Sequence, residues 1–456
     1  MPFDQSTSKL ADMFIALERI IRRNVSDLPR APTSHIASVH KLSYGIQDDC
    51  VRKDKRTDEG YLAMKMGYFH NIHDVTRERD YEEMVNELRE IAIYCDTAGF
   101  HAFWLPEHHF SIWGREMLPN PILMAADVAA RTRNIRIGLA AAIITHWHPL
   151  RLAEDLCMLD QLSGGRLEIG VGRGNYGLEA LNLNPIADPN DQDANFKAFS
   201  ETLNVIKTVF TNKRFSFKGD IYTYPAPGFT VDRAHTVDDP DYIDAETGEL
   251  IKLSIYPGPK QTPHPPLWQV VSDSPRSIQF AAENGLGIIM WRHTVASLKS
   301  KLRMYRDWAS KAQGRDVAMG ARTAILRSTF VAESEKEARE IAGEAVMGGY
   351  NFSNWRGPGV FLNPGEKLDP ELEESLKKEL TFDFVNERSL LFGSPDDIVD
   401  KLMELWQETN IEQVVFNCAS TGVPHEETMR SIRLLAEEVI PKVKAQIETA
   451  TASAAE

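Results

Sequence analysis

The chain has little of what would set it apart from an ordinary globular enzyme. Only four cysteines occur in 456 residues, Cys50, Cys95, Cys157 and Cys418. They form no Cys-x-x-Cys pair, and no Cys/His cluster has zinc spacing, which excludes a disulfide framework and a zinc-ribbon architecture. They read as reduced, buried small hydrophobes of a cytoplasmic protein. No apolar run approaches the roughly 18 residues that a membrane helix needs. The opening stretch MPFDQSTSKLADMFIALERIIRRN carries acidic residues and no small-residue cleavage site behind an apolar core, so no secretory signal is expected. Positive charge is in deficit: 51 Lys and Arg face 66 Asp and Glu, a formal charge of −15. That disfavours nucleic acid and anionic membranes as partners.

What is present is a repeating pattern. Residues 1–62 stand apart as an N-terminal arm. Within them Leu10, Met13, Phe14, Leu17, Ile20 and Ile21 recur at helical spacing over Ser8–Arg23. From residue 63 to 448 strand-like and helix-like segments alternate. The expected strands are AMKMGYF, AFWLPEH, IRIGLAAAII, RLEIGVG, PLWQVV, GIIMW, ARTAILRSTFVA and EQVVFNC. Each is followed by an amphipathic stretch. Alternating strands and helices imply a parallel sheet, and eight short apolar strands fit a closed (β/α)8 TIM barrel better than an open sheet. Two insertions interrupt the repeat, at about 212–264 and 347–393. The first reads as a hairpin plus loop and the second, rich in Gly and Pro, as a mobile segment. Ser394 is a candidate N-cap with Pro395 at the first helical position. Residues 449–456 are expected to be a flexible tail.

In such barrels the active site lies at the C-terminal ends of the strands. Those ends carry Phe69 and His70, then Glu107, His108, His109 and Phe110, then Ala140, Ala141, His146 and Trp147. The later ends carry Arg173, Asn175 and Tyr176, then Ser272, Asp273 and Ser274, then Trp291 and His293. Two segments suit an anion. The glycines around Arg173 allow close backbone approach, although the run is read as neither a dinucleotide fingerprint nor a P-loop, whose Lys-Ser/Thr is missing. The segment Ser272–Ser277 opens a helix, and a plain helix cap accounts for it equally well. No metal is expected, because adjacent histidines on a strand point to opposite faces. His108 is the candidate acid/base, a neutral imidazole near pH 7 facing the mouth, and His109 is expected to point into the barrel wall.

The segments GFHAFWLPEHHF, HPLRLAEDLCMLDQLSGGRLEIGVGRGNY, VVSDSPRSIQFAAENGL and FGSPDDIVDKLMELWQETNIEQVVF resemble, in that order, the bacterial luciferase-like flavin monooxygenases, and are closest to the luciferase α-subunit type. The resemblance spans roughly residues 64–445. It implies a two-component enzyme that takes reduced FMN (FMNH2) from a separate NAD(P)H:flavin reductase. In this family O2 adds at the flavin C4a, and the hydroperoxide oxidises a small substrate. His108 then corresponds to the histidine that supports the peroxyflavin, and Arg173 to the arginine on the FMN phosphate. Asp273, Ser274 and Ser277 correspond to phosphate-side contacts, and Ala140-Ala141 to a non-proline cis peptide against the flavin ring. With them Glu107, Asn175, Tyr176, Ser272 and Trp291 complete the expected cofactor set. A homodimer is implied, pairing through helices beside the second and third strands, and the 347–393 insertion matches a mobile lid in place.

Departures limit the transfer. Gly172 stands where luciferases have a reactive cysteine, and Lys197 stands in a region where they have a phosphate-contacting arginine. The expected substrate pocket comprises Phe69, His70, Phe110, Trp113, His146, Trp147 and His293. Aromatic residues there, with Trp355, imply an apolar or aromatic substrate. Two other readings stay open: a deazaflavin-dependent dehydrogenase on the same fold, and a non-catalytic flavin-binding subunit.

Overall fold

The computed structural model describes residues 63–231 and 239–454, apart from the side chains of residues 355, 356 and 454. The N-terminal arm expected over 1–62 lies outside the described residues.

Eight parallel strands close into a barrel. They are β1 (Lys65–Phe69), β2 (Ala102–Leu105), β3 (Arg136–Ile143), β4 (Leu167–Gly172), β7 (Leu267–Val270), β8 (Gly287–Trp291), β9 (Thr323–Val331) and β11 (Gln413–Asn417). Neighbours pair in that order, and the ring closes through β8–β9, β9–β11 and β11–β1. This is the expected (β/α)8 architecture. The intervening helices are α1 (Tyr81–Thr97), α2 (Pro121–Arg131), α3 (Pro149–Leu162), α4 (Gly177–Leu183), α5 (Gln192–Thr211), α6 (Pro275–Glu283), α7 (Val295–Gln313) and α8 (Glu335–Phe352). They pack their apolar faces on the outer side of the strands, as alternating βα units require.

The starts of several helices are written in the sequence. Asn120, Ser274 and Ser394 each accept a backbone N–H of the first turn ahead of a proline at the first helical position. This pairing satisfies donors that the helix itself cannot.

The barrel interior is filled by Phe69, Trp104, Trp268, Ile289 and Val415 among others. Trp104 and Trp268 meet edge to face at 6.0 Å. Glycines opposite them make this possible. A Cβ on Gly138 would lie 2.2 Å from the Trp104 ring, and one on Gly287 would lie 2.4 Å from the Trp268 ring.

The first insertion contains the expected hairpin, β5 (Phe217–Lys218) against β6 (Thr223–Tyr224), followed by irregular chain. The second differs from a bare loop. Helix α8 runs on to Phe352, and a 3-10 segment (Asn354–Phe361), α9 (Pro370–Lys378) and α10 (Phe382–Asn386) follow. Phe361, Leu376, Phe382 and Val385 are buried against Phe330 and Tyr350. A short β10 (Leu391–Gly393) then pairs with the outer end of β9. Helix α11 (Pro395–Thr409) precedes β11. After it come α12 (His425–Leu434), a π turn (Leu435–Val439) and α13 (Ile440–Ala454), so helix continues through most of the stretch expected as a tail. Among the described residues no helix is long and apolar enough to cross a membrane.

Candidate active site

The mouth at the C-terminal ends of the strands collects most of the expected residues. The Ala140-Ala141 bond is a non-proline cis peptide. The end of β4 approaches it closely: a Cβ on Gly172 would lie 2.8 Å from Ile143 Cδ1 and 3.3 Å from Ala141 Cβ. Glycine therefore suits this crossing, where luciferases have cysteine.

His108 sits just past β2 between two carboxylates. Its Nδ1 is 3.2 Å from Glu179 Oε1, and its Nε2 is 3.6 Å from Glu116 Oε1. Its ring lies 5.5 Å from that of Tyr176. Burial would lower the imidazole pKa, but the charge of Glu116 and the hydrogen bond and charge of Glu179 outweigh it, and the pKa rises. The imidazole expected to be neutral near pH 7 thus stands among groups that shift it toward protonation. Glu179 is buried, and its carboxyl is held low. Burial alone would raise it, but the His108 bond and charge and the His109 backbone N–H prevail.

His109 does not point into the barrel wall by itself. Its Nε2 meets Glu107 Oε1 at 2.9 Å, and its backbone N donates to Glu179 Oε1 at 2.8 Å. Glu107 is a fully enclosed hub that also accepts from Ile143 N at 2.8 Å and from the Trp147 indole at 2.9 and 3.1 Å. His146 stands beside them, 5.8 Å from His109 ring to ring, with neither ring nitrogen hydrogen-bonded. Burial pulls its pKa down to about 4. Glu107, His109 and His146 bring their donor atoms within 4.8 Å of one another, close enough to meet on one cation. Sequence reasoning missed this grouping, because the strand ends at Leu105 and strand alternation no longer applies. Since both Glu107 oxygens already take neutral donors, the grouping is accounted for as a hydrogen-bond hub.

A second corner of the mouth suits an anion. Arg173 follows β4, and its guanidinium is oriented by Asn195 Oδ1 at 3.2 Å and Gln192 Oε1 at 3.4 Å, both on α5. Asn195 is buried and also donates to Arg173 O and Ala187 O, which fixes the crossing. Arg173 and Arg276 flank the Phe196 ring at 5.7 and 4.0 Å, next to α6, whose N-cap is Ser274. The run Gly172 to Gly177 does have the Gly-x-Gly-x-x-Gly spacing. In a closed barrel, however, it lacks the open doubly wound sheet on which the dinucleotide fingerprint works.

Other expected residues fall elsewhere. Asp273 pairs with Lys301 of α7, and a carboxylate does not suit a phosphate. Ser277 is buried within α6. Lys197 pairs with Asp220 at 2.7 Å instead of standing free for phosphate. Trp147 is committed to Glu107. His70 faces away from Phe69, stacked on Tyr68 and Phe103 behind the barrel, and burial lowers its pKa to about 3. His293 is enclosed behind β8, its Nε2 2.6 Å from Ser272 O.

Phe110, Trp113, Asn175 and Ser272 are exposed, Tyr176 and Trp291 half-buried, and the Trp291 indole N–H is enclosed without a hydrogen bond. Trp113 meets Phe352, at the end of α8, edge to face at 5.6 Å, so two mouth segments close on each other. The Trp355 side chain lies outside the described residues. Sequence reasoning missed Glu116, Glu179 and Asn195. They sit on loops and helices, and only the fold brings them to the mouth.

Residues 64–413 match the family described as luciferase-like monooxygenase. The chain belongs to the luciferase-like monooxygenase family. It is 24% identical over 378 residues to the oxygenase component of flavin-dependent trigonelline monooxygenase from Acinetobacter baylyi, covering 83% of this chain and 95% of that protein. Among solved structures it resembles the oxygenating constituent of 3,6-diketocamphane monooxygenase from Pseudomonas putida, a type II Baeyer–Villiger monooxygenase solved with FMN. The TM-score is 0.65 at 23% identity, over 84% of this chain and 99% of that one. An F420-dependent secondary alcohol dehydrogenase also shares the fold, with a TM-score of 0.58 at 17% identity over 84% of this chain and 99% of that one.

Proposed function

We propose that the chain is the oxygenase component of a two-component monooxygenase. It would take reduced FMN from a separate NAD(P)H:flavin reductase and insert one oxygen atom from O2 into a small apolar or aromatic substrate. The observation that carries this reading is that Arg173, which shares the Phe196 ring with Arg276 of the first turn of α6, and His108 both follow C-terminal strand ends of the barrel. The donor set fits a flavin mononucleotide. Arg173 offers charge, and the α6 N-terminus offers backbone dipoles to a terminal phosphate, while the neighbouring Arg276 is paired with Asp193 at 2.8 Å. The enclosed Trp291 indole N–H, at the C-terminal end of β8, is a polar atom without an acceptor.

Reduced FMN held there would supply the electrons that activate O2. The chain's own residues do the rest. Asn195 and Gln192 orient Arg173. His108 gives and takes a proton at Nε2 under the charge of its flanking carboxylates. Phe110, Trp113 and Phe352 keep bulk water from the mouth. We further read the 347–393 insertion as the cover of the mouth, and the assembly as a cytoplasmic homodimer with no nucleic-acid or membrane partner.

The F420-dependent fold neighbour keeps a deazaflavin-dependent dehydrogenase as the second reading. Anaerobic titration with reduced FMN and with reduced deazaflavin, followed by tryptophan fluorescence, separates the two. Tighter binding of reduced FMN supports the oxygenase. A preference for the deazaflavin overturns it, and binding of neither overturns both.

A further inference from the structure

Glu179 lies on the seven-residue helix α4, which the sequence pattern does not announce. One of its oxygens, Oε1, reaches two adjacent residues of another loop: it lies 3.2 Å from His108 Nδ1 and accepts the His109 backbone N–H at 2.8 Å. The side chain is 4% exposed. A buried carboxylate spanning 71 residues of sequence to hold one ring nitrogen and the next peptide fixes both the place and the rotation of that ring. The other ring nitrogen, Nε2, faces Glu116 at 3.6 Å, and that carboxylate is about a quarter exposed.

We propose that Glu179 is the positioning residue of His108, fixing the neutral ring as the Nδ1–H tautomer so that Nε2 is the atom that exchanges protons at the mouth. The proposal rests on His108 being the acid/base of the proposed function. The physical reason is simple. A carboxylate accepts and never donates when ionised, so the nitrogen it faces must carry the hydrogen. Geometry does the same for the orienting carboxylate of catalytic triads. Glu179 thus sets which nitrogen works, and Glu116, on the open side, is the partner that substrate or solvent can replace.

The groups facing His108 come from every neighbouring element. They are Glu179 from α4, Glu116 from the loop after β2, Glu107 from the end of β2, Tyr176 from the loop after β4, His73 from the loop after β1 and His146 from the turn after β3. The two histidines are held neutral at ordinary pH, chiefly by burial, with values of about 3 and about 4. The charges His108 meets are therefore carboxylates.

The test is imidazole NMR on the full-length, flavin-free protein, with His108 assigned by its loss in His108→Ala. Wild-type His108 should titrate above free histidine and show the Nδ1–H tautomer at high pH. Glu179→Gln keeps an acceptor for the His109 N–H but removes the charge. Its His108 midpoint should fall by about one unit, and the Nε2–H tautomer should appear. Glu116→Gln should lower the midpoint and leave the tautomer unchanged. An unaltered midpoint and tautomer in Glu179→Gln overturns the proposal. An Nε2–H tautomer in the wild-type protein overturns it too, whether or not the variants fold. Turnover of His108→Ala separates the two layers: full activity removes the acid/base reading while the NMR result still decides the positioning.

Discussion

His109 Nε2 meets the carboxylate of Glu107, two residues back along the chain, at 2.9 Å. The same carboxylate takes the Trp147 indole and the Ile143 backbone, so three donors depend on one buried charge. Glu107→Ala should leave these donors without a partner, at a cost of roughly 1–3 kcal/mol each where water cannot reach. The expected outcome is a large loss of stability in urea unfolding, with a smaller loss for His109→Ala. If Glu107→Ala unfolds at the wild-type midpoint, the hub carries no weight.

The phosphate corner predicts a selective binding defect. Arg173→Ala should weaken FMN by about 1.5–3 kcal/mol, roughly ten- to a hundred-fold, through loss of a charge-assisted contact. Riboflavin, which lacks the phosphate, should bind both proteins alike. Asn195→Leu should mimic the defect in part, because Asn195 orients the guanidinium. Equal weakening of FMN and riboflavin would show that Arg173 acts on the fold instead of the phosphate.

Acid stability should follow the buried histidines. Burial lowers the pKa of His70 to about 3 and of His293 to about 4, from an unfolded value of 6.5. Between those limits the unfolded chain binds more protons than the folded one, so stability falls as pH drops from 6.5 toward 3. His70→Phe keeps a ring against Tyr68 and Phe103 and removes one titrating group. Its denaturation midpoint should lose less between pH 6.5 and pH 4 than that of the wild type. Parallel pH curves for the two proteins would mean that His70 does not contribute.

The 353–393 segment should prove integral to stability. Phe361 is fully buried, 5.7 Å from Tyr350 and 6.2 Å from Phe384 between ring centroids. Phe361→Ala should cost roughly 3–5 kcal/mol. Deleting the segment would uncover Phe330 and Tyr350, so the simple removal of a mobile lid is not the expected result. Hydrogen exchange on Phe361→Ala tells the cases apart. Loss of protection only within 353–393 marks a separate cover, and loss throughout the barrel marks shared core.

The homodimer reading points to the exposed apolar residues of neighbouring helices: Leu123 on α2, with Met158 and Leu162 on α3, are 70%, 50% and 62% exposed. Wild-type protein at micromolar concentration should scatter light as a dimer, and Leu123→Asp should shift it toward monomer. A monomeric wild type ends this reading.

The sequence by itself determined the barrel, because hydrophobic periodicity and helix caps are local. Asn120-Pro121, Ser274-Pro275 and Ser394-Pro395 mark helix starts within a few residues, and the short apolar strands between them need no distant partner to be recognised. It also marked Arg173 and His108, which sit at fixed offsets from strand ends. Tertiary structure decided what those residues meet. Glu179 reaches His108 across 71 residues, and Asn195 reaches Arg173 across 22. Strand alternation sends Phe69 and His70 to opposite faces, yet both were expected in the pocket, and packing showed that the His70 side lies behind the barrel. The same alternation does not reach His109, because the strand ends at Leu105. A one-dimensional pattern holds backbone geometry, whereas pKa values and hydrogen-bond partners depend on distances between segments that only the closed barrel brings together.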